Sequence, residues 1–227
     1  MRLWKPALFS TPMVQATLAA RKTQTRRCRG LEVVNEEPAA WSLHAANDIN
    51  GQFLFTHEDG ERLLIAETPW PVGTRLYVKE KWGCPDADHP RCKDGRKPRA
   101  GDRFVYGADP ADAYQWRGGG GCGDFAWRSS RFMFRFVARI GLEVTAVRCQ
   151  QVQDITEADA IAEGIDPREV AARGWTDART GFRILWDSLN AKRGYGWGAN
   201  PWVFAYGFKL LSTDYAETQR LMTEDAK

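Results

Sequence analysis

The order of its periodicities constrains this chain more than any other feature. Strand-like alternation occurs in PWPVGTRLYVKEKW (69–82), in RFMFRFVARIGLEVTAVRCQQV (131–152) and in WVFAYGFKLL (202–211). These runs are not regularly interleaved with helical patterns, as a doubly wound sheet would require, so the reading is an α+β fold or a small barrel. In the first run Leu76 and Val78 alternate with Tyr77 and Lys79 after a Pro/Gly turn, which predicts a strand over 75–82. The second continues past Gly141 and reads as a long bent strand or a strand pair. The third closes the fold as a strand and leaves 213–227 as a polar tail.

Helical signals are fewer. STPMVQATLAARKT offers Ser10 or Thr11 as a cap and Pro12 in the first turn, with Lys22 to Thr25 at the helix exit. DITEADAIAEGI has Thr156 as a cap, Asp159 three residues on, and Gly164 after Glu163 to end the helix. A carboxylate at that helix end does nothing for the helix itself. Over 178–191, Phe182, Leu185, Trp186 and Leu189 share one face of an amphipathic helix. Segments 30–70 and 83–130 lack a clear period and read as loop-rich insertions, the first with a hairpin around GQFLFTHEDGERLLIA and the second with a short strand at RFVYGA. The expectation is one domain over 1–212.

Composition then excludes whole classes. The 227 residues are 43% hydrophobic and 27% charged, the balance of a globular chain rather than a disordered one. No apolar run approaches the roughly 20 residues that a spanning helix needs. MRLWKPALFSTP has no apolar stretch of the secretory kind, so a cytoplasmic location and no membrane partner are expected. Five scattered cysteines, an odd number, suit free thiols in a reducing compartment. A net charge of +3 does not by itself announce nucleic-acid binding, although basic residues cluster in RKTQTRRCR, in RCKDGRKPRAGDR and in the Arg128, Arg131, Arg135, Arg139 series.

The chemistry is narrowed mainly by elimination. No G-x-G-x-x-G follows a strand and no Walker A pattern exists, and GGGGCG (118–123) has no helix behind it to make an anion site. Three histidines without common spacing do not suggest a Ser-His-Asp hydrolase. Cys84, His89 and Cys92, with Cys122 downstream, can supply four zinc ligands, or simply be unligated loop residues. In RKTQTRR, Lys22 stands three residues before Thr25, a spacing that can set an amine beside a hydroxyl as general base and nucleophile. The same residues can equally be a basic helix end. Glu163 and Glu80 each read as a surface carboxylate or a participant. Trp82, Trp127, Trp197 and Trp202 either pack or stack on a base.

Four blocks in order, ALFSTPMVQATLAARKTQTRR, PVGTRLYVKEKW, RIGLEVTAVRCQQVQDITEADAIAEGI and NPWVFAYGFKLL, resemble the ASCH-domain proteins of the PUA-like superfamily, in the long form frequent in phages and prophages. They cover roughly half the chain, and the insertions fall outside the match to the smallest members. The resemblance implies a PUA-like α+β fold: a small, partly open β-barrel flanked by helices, with a cleft suited to a nucleobase. It also implies an amidohydrolase that removes the acyl group of N(4)-acetylcytidine without a cofactor. Lys22, Thr25 and Glu163 match the family's catalytic lysine, threonine and glutamate, and an arginine at the position of Arg27 also matches. Arg27, Glu80, Trp82 and Trp202 are the candidate substrate contacts. The same superfamily serves as RNA-binding modules, and some members are proposed to cut RNA. A reader of RNA or modified single-stranded nucleic acid is therefore the alternative, with Lys22 and Arg27 on phosphates. A phage accessory protein that binds a host partner through the insertions is a third.

Overall fold

The computed structural model describes residues 3–84, 97–109 and 126–226. In chain order these form β1 (Lys5–Leu8), α1 (Thr11–Leu18), β2 (Gln24–Arg27), β3 (Trp41–Asn47), β4 (Gln52–His57), β5 (Leu63–Glu67), β6 (Arg75–Lys79), β7 (Trp82–Gly83) and β8 (Val105–Tyr106). Then follow β9 (Gly141–Gln151), α2 (Glu157–Ala162), α3 (Pro167–Ala172), α4 (Ala178–Asn190), β10 (Trp202–Ser212) and α5 (Tyr215–Glu224). The class is α+β, with strands in sheets of five, three and two, none closed into a barrel among the described residues. The chain divides into two compact units, one drawn from Met1–Leu18, Arg75–Leu142 and Leu210–Lys227, the other from Ala19–Thr74 and Glu143–Lys209.

In the first unit β1 runs parallel to β6, with Lys5 opposite Leu76 and Leu8 opposite Lys79. Leu76 and Val78 point inward and are fully buried, as their alternation with Tyr77 and Lys79 predicts. The strand stops at Lys79, and Trp82 starts β7, paired with β8 at Tyr106. The core gathers Trp4, Trp82, Tyr106, Met133, Val137 and Met222. Gly141 is required here, because a Cβ would lie 2.9 Å from the buried indole of Trp4.

Two expectations fail in this unit. The Phe132, Phe134, Phe136 alternation does not make a strand: Ser130–Phe132 and Arg135–Val137 are tight 3-10 turns, and β9 begins only at Gly141. Met133 and Val137, four apart, take the core positions, while Phe132 is 70% exposed. The residues after Thr213 are not a tail but α5, capped by Asp214 and burying Thr218 and Met222. One of those two anchors is polar, its hydroxyl donating to the Arg139 carbonyl at 2.7 Å, so the segment carries little hydrophobic signal.

In the second unit β2 lies antiparallel to β10, pairing Thr25 with Tyr206, Arg26 with Ala205 and Arg27 with Phe204. Within 30–70 the expected hairpin is present as β4 and β5, and β3 adds a third strand to it. That sheet is tied to β10 by ring contacts, Phe53 to Phe204 at 5.1 Å and Phe55 edge-on to Trp202 at 5.0 Å. A second cluster joins Val152, Ile155 and Ala160 to Phe182 and Trp186 on α4. Of the four residues expected on the buried face of α4, Phe182 and Trp186 are buried and Leu189 is 46% exposed.

Candidate active site

Thr156 caps α2 by accepting a hydrogen bond from the Asp159 amide, and the helix lasts only until Glu163, with Gly164 at φ 105° turning the chain away. This brings Asp159 and Glu163, one turn apart, onto the same side. The Thr23 amide donates to the Ala162 carbonyl at 2.8 Å, and the Thr23 carbonyl accepts from the Phe208 amide at 2.9 Å. The backbone between α1 and β2 is thereby pinned to the end of α2 and to β10, which fixes where Lys22 can reach. Lys22 to Thr25 is not a helix exit: α1 ends at Leu18, Ala20 adopts φ 55°, and the chain enters strand β2 at Gln24.

The Lys22 ammonium is buried and meets three acceptors: Glu163 Oε2 at 2.8 Å, the Glu163 carbonyl at 2.7 Å and the Gln24 carbonyl at 2.7 Å. Three donors on the ammonium are matched by three oxygens. Arg26 donates from one nitrogen to Glu163 Oε1 at 3.0 Å and from the other to Asp159 Oδ2 at 3.0 Å, and Arg148 donates to Asp159 Oδ1 at 2.9 Å. The result is a line of alternating charge, Lys22, Glu163, Arg26, Asp159, Arg148, running from a fully buried amine to a guanidinium that is 52% exposed. It carries three cations against two carboxylates.

Burial pushes Lys22 below its ordinary value of 10.5; Glu163 opposes this and the guanidinium groups of Arg27 and Arg26 add to it. Burial works to raise Asp159, but hydrogen bonds from Arg148 and Gln24 and the charge of Arg26 outweigh it and hold the carboxyl below the usual range. Glu163 faces two positive charges, the Lys22 ammonium and the Arg26 guanidinium.

Thr25 is 1% exposed and its hydroxyl has no hydrogen-bond partner. Alternation along β2 puts Thr25 and Arg27 on the face of their cross-strand neighbours Tyr206 and Phe204, and Gln24 and Arg26 on the other. That face is aromatic, with Trp70 and Tyr206 rings 4.9 Å apart and the Tyr206 hydroxyl paired with that of Thr68. The structure thus joins Lys22 to Glu163 and leaves the Thr25 hydroxyl unbonded to either. Arg27 shares the face of Thr25 and donates to the Arg26 carbonyl at 3.2 Å.

The remaining candidates have other partners. Glu80 is buried in a two-pronged pair with Arg139, at 3.0 and 3.1 Å, and burial raises its carboxyl against that arginine's pull. Trp82, expected to stack on a base, is 1% exposed and edge-on to Phe104 and Phe134, so it packs the core. Trp202 donates its indole N–H to the Pro38 carbonyl at 2.9 Å and takes a packing role against Phe55. Of the zinc candidates, His89, Cys92 and Cys122 lie outside the described residues. The Cys84 thiol is buried and faces Asp102 Oδ2 at 3.7 Å.

Sequence reasoning missed Arg26, Asp159 and Arg148. The four-residue spacing of Asp159 and Glu163 on a short helix was a usable signal, and the strand period then selects Arg26 rather than Arg27 as their partner. Comparison of the chain with protein-family models, curated proteins and solved structures returns no match.

Proposed function

We propose that the chain is an amidohydrolase acting on N(4)-acylated cytosine nucleosides on a PUA-like α+β scaffold, with Thr25 as nucleophile, Lys22 as base and Glu163 as acid and base. The observation that carries the reading is a buried threonine hydroxyl with no partner, three residues from a buried lysine tied to a carboxylate. An unsatisfied buried hydroxyl is costly, and such costs gather where chemistry is done.

The saturated ammonium of Lys22 cannot accept a proton, so the first step passes one along the 2.8 Å contact to Glu163. Two buried charges become a neutral amine and a neutral acid, a change that burial favours. The amine then takes the Thr25 proton, and the alkoxide adds to the acyl carbonyl of the substrate. Arg27, on the face of Thr25, donates to the oxyanion. As the C–N bond breaks, protonated Glu163 gives its proton to the departing exocyclic nitrogen, leaving an acyl ester on Thr25 and a free cytosine nucleoside. Glu163, now a carboxylate, takes a proton from water, whose oxygen attacks the ester; as the carboxylic acid leaves, Lys22 protonates the Thr25 oxygen and is reprotonated by Glu163, which restores the starting state. The Lys22–Thr25 hydrogen bond forms only with substrate in place, as catalytic contacts often tighten on binding.

The test is release of cytidine from N(4)-acetylcytidine by purified full-length protein. Wild type is expected to turn over, Thr25→Ser to retain part of the rate, and Thr25→Val and Lys22→Met each to lose about 100-fold or more, the scale of losing one acid–base partner. No release by well-folded protein sinks the enzyme reading and moves the assignment to a reader of single-stranded or modified nucleic acid.

A further inference from the structure

The three-stranded sheet of β3, β4 and β5 has two edges, and they are built differently. On β3 the register against β4 shifts between Leu43 and Ala45, a bulge at His44 that blunts that edge. On β5 the register is unbroken, from Leu63 opposite Thr56 to Glu67 opposite Gln52. The His57 amide donates to the Arg62 carbonyl at 2.9 Å and the Thr68 amide to the Gly51 carbonyl at 2.8 Å. Every second residue from Arg62 to Thr68 is therefore bonded toward β4, and the amides and carbonyls of Leu63 and Ile65 point away from the sheet. Among the described residues no strand pairs with them. The Glu67 carbonyl points the same way but lies against Gly30, where a Cβ would come within 2.7 Å of it, so the open stretch ends after Ile65.

The side chains are aliphatic where the backbone is open. Leu63 is 66% and Ile65 60% exposed. Ile65 stands opposite Leu54 and Leu54 opposite Ala45, so an aliphatic row crosses the outer face of the sheet and ends at this edge. Soluble proteins usually blunt such an edge with lysine, proline or a bulge, and β5 has none of these. The charges around it are of one sign. Glu61 stands two residues before Leu63 and Glu67 two after Ile65; both are exposed, and neither forms an ion pair among the described residues. Arg62, the one cation between Glu58 and Glu67, is engaged by Asp59 at 2.6 Å.

We infer that β5 takes up an extended segment of a partner protein as a fourth strand, its aliphatic residues facing Leu63 and Ile65 and flanked by lysine or arginine facing Glu61 and Glu67. Main-chain bonds to Leu63 and Ile65 supply the pairing, and the side chains supply the choice. A second copy of this chain is the poorer occupant, because pairing Leu63 with Ile65 of a copy sets Glu61 against Glu67. The edge shares no residue with the Lys22, Thr25, Glu163 group and stands or falls separately from it.

The experiment titrates isotope-labelled full-length protein with the end-blocked peptide Lys-Thr-Val-Thr-Val-Thr-Lys and with its counterpart carrying Glu for both Lys. Binding is followed by calorimetry and amide exchange by NMR. The basic peptide is expected to bind, more weakly as salt rises. At saturation it should slow exchange of the Leu63 and Ile65 amides by about tenfold or more, and leave that of Leu64, already bonded to β4, unchanged. The acidic peptide should bind at least about tenfold more weakly, and Ile65→Lys should cost about tenfold, with protection of Leu64 showing that the sheet is intact. Ile184→Lys, exposed on α4, is expected to leave binding unchanged. The inference is overturned by no binding of the basic peptide at millimolar concentration, by binding that leaves Leu63 and Ile65 unprotected, by equal affinity for the acidic peptide, or by Ile65→Lys binding like wild type. Self-association that Ile65→Lys abolishes, with no peptide bound, also overturns it, in favour of a second copy.

Discussion

Replacing Thr25 by valine should make the protein more stable while removing the proposed amidohydrolase activity. Valine has the shape of threonine, suits a strand, and exchanges only the hydroxyl for a methyl group. At Thr25 that hydroxyl is buried and has no hydrogen-bond partner. A buried polar group left unmatched costs about 1–3 kcal/mol relative to its hydrated state in the unfolded chain. The methyl group inherits the contacts without that cost, next to the aromatic neighbours Tyr206 and Phe204. Thr25→Val should therefore gain about 1–2 kcal/mol, read as a raised midpoint at unchanged slope in urea unfolding. Thr25→Ser, which keeps the hydroxyl and loses a methyl, should lose stability instead, by about 1 kcal/mol. A loss of about 1 kcal/mol or more in Thr25→Val would refute the reasoning, because it would mean that the hydroxyl is satisfied in solution and holds structure rather than awaiting a substrate.

Other consequences follow from the charge line and the packing. Glu163→Gln leaves three cations against one carboxylate, whereas Lys22→Met leaves two against two. The first should cost about 3–5 kcal/mol in urea unfolding, and the second clearly less. Because Lys22 titrates below 10.5 when folded, the unfolded chain binds more protons between that lowered value and 10.5. Stability should rise with pH across this window, and the rise should disappear in Lys22→Met when unfolding is measured over alkaline pH. Gly141→Ala, whose Cβ meets the Trp4 indole at 2.9 Å, should cost about 1–3 kcal/mol of the same unfolding free energy.

How much could be read beforehand depended on whether a signal was local. The strand at Leu76 and Val78, the Thr156 cap, the Gly164 stop and the face of α4 at Phe182 and Trp186 each follow from neighbours within a turn or two, and each is found. The run of phenylalanines misled because alternation also occurs where tight turns expose Phe132 and bury Met133 and Val137. The helix at Tyr215–Glu224 was missed because its anchors are a threonine and a single methionine. At the site, the resemblance singled out Lys22, Thr25 and Glu163 and paired Lys22 with Thr25; the bond between Lys22 and Glu163, across 141 residues of sequence, was not anticipated. Arg26 was not singled out, since choosing it over Arg27 needs the strand period of β2, and the segment had been read as a helix exit. From the sequence Glu80 read as a surface carboxylate or a participant and Trp82 as packing or stacking; the partners Arg139, Phe104 and Phe134, distant in sequence, decide for burial in both.

The central claim is that Thr25 is acylated during turnover. Its most direct test is mass spectrometry of wild-type protein acid-quenched within the first turnovers with N(4)-acetylcytidine, with Thr25→Val as the blank. The account predicts one acetyl group, mapped to the peptide that contains Thr25 and absent from Thr25→Val. Cytidine release with no acyl group on that peptide, or with the same yield from Thr25→Val, would contradict it.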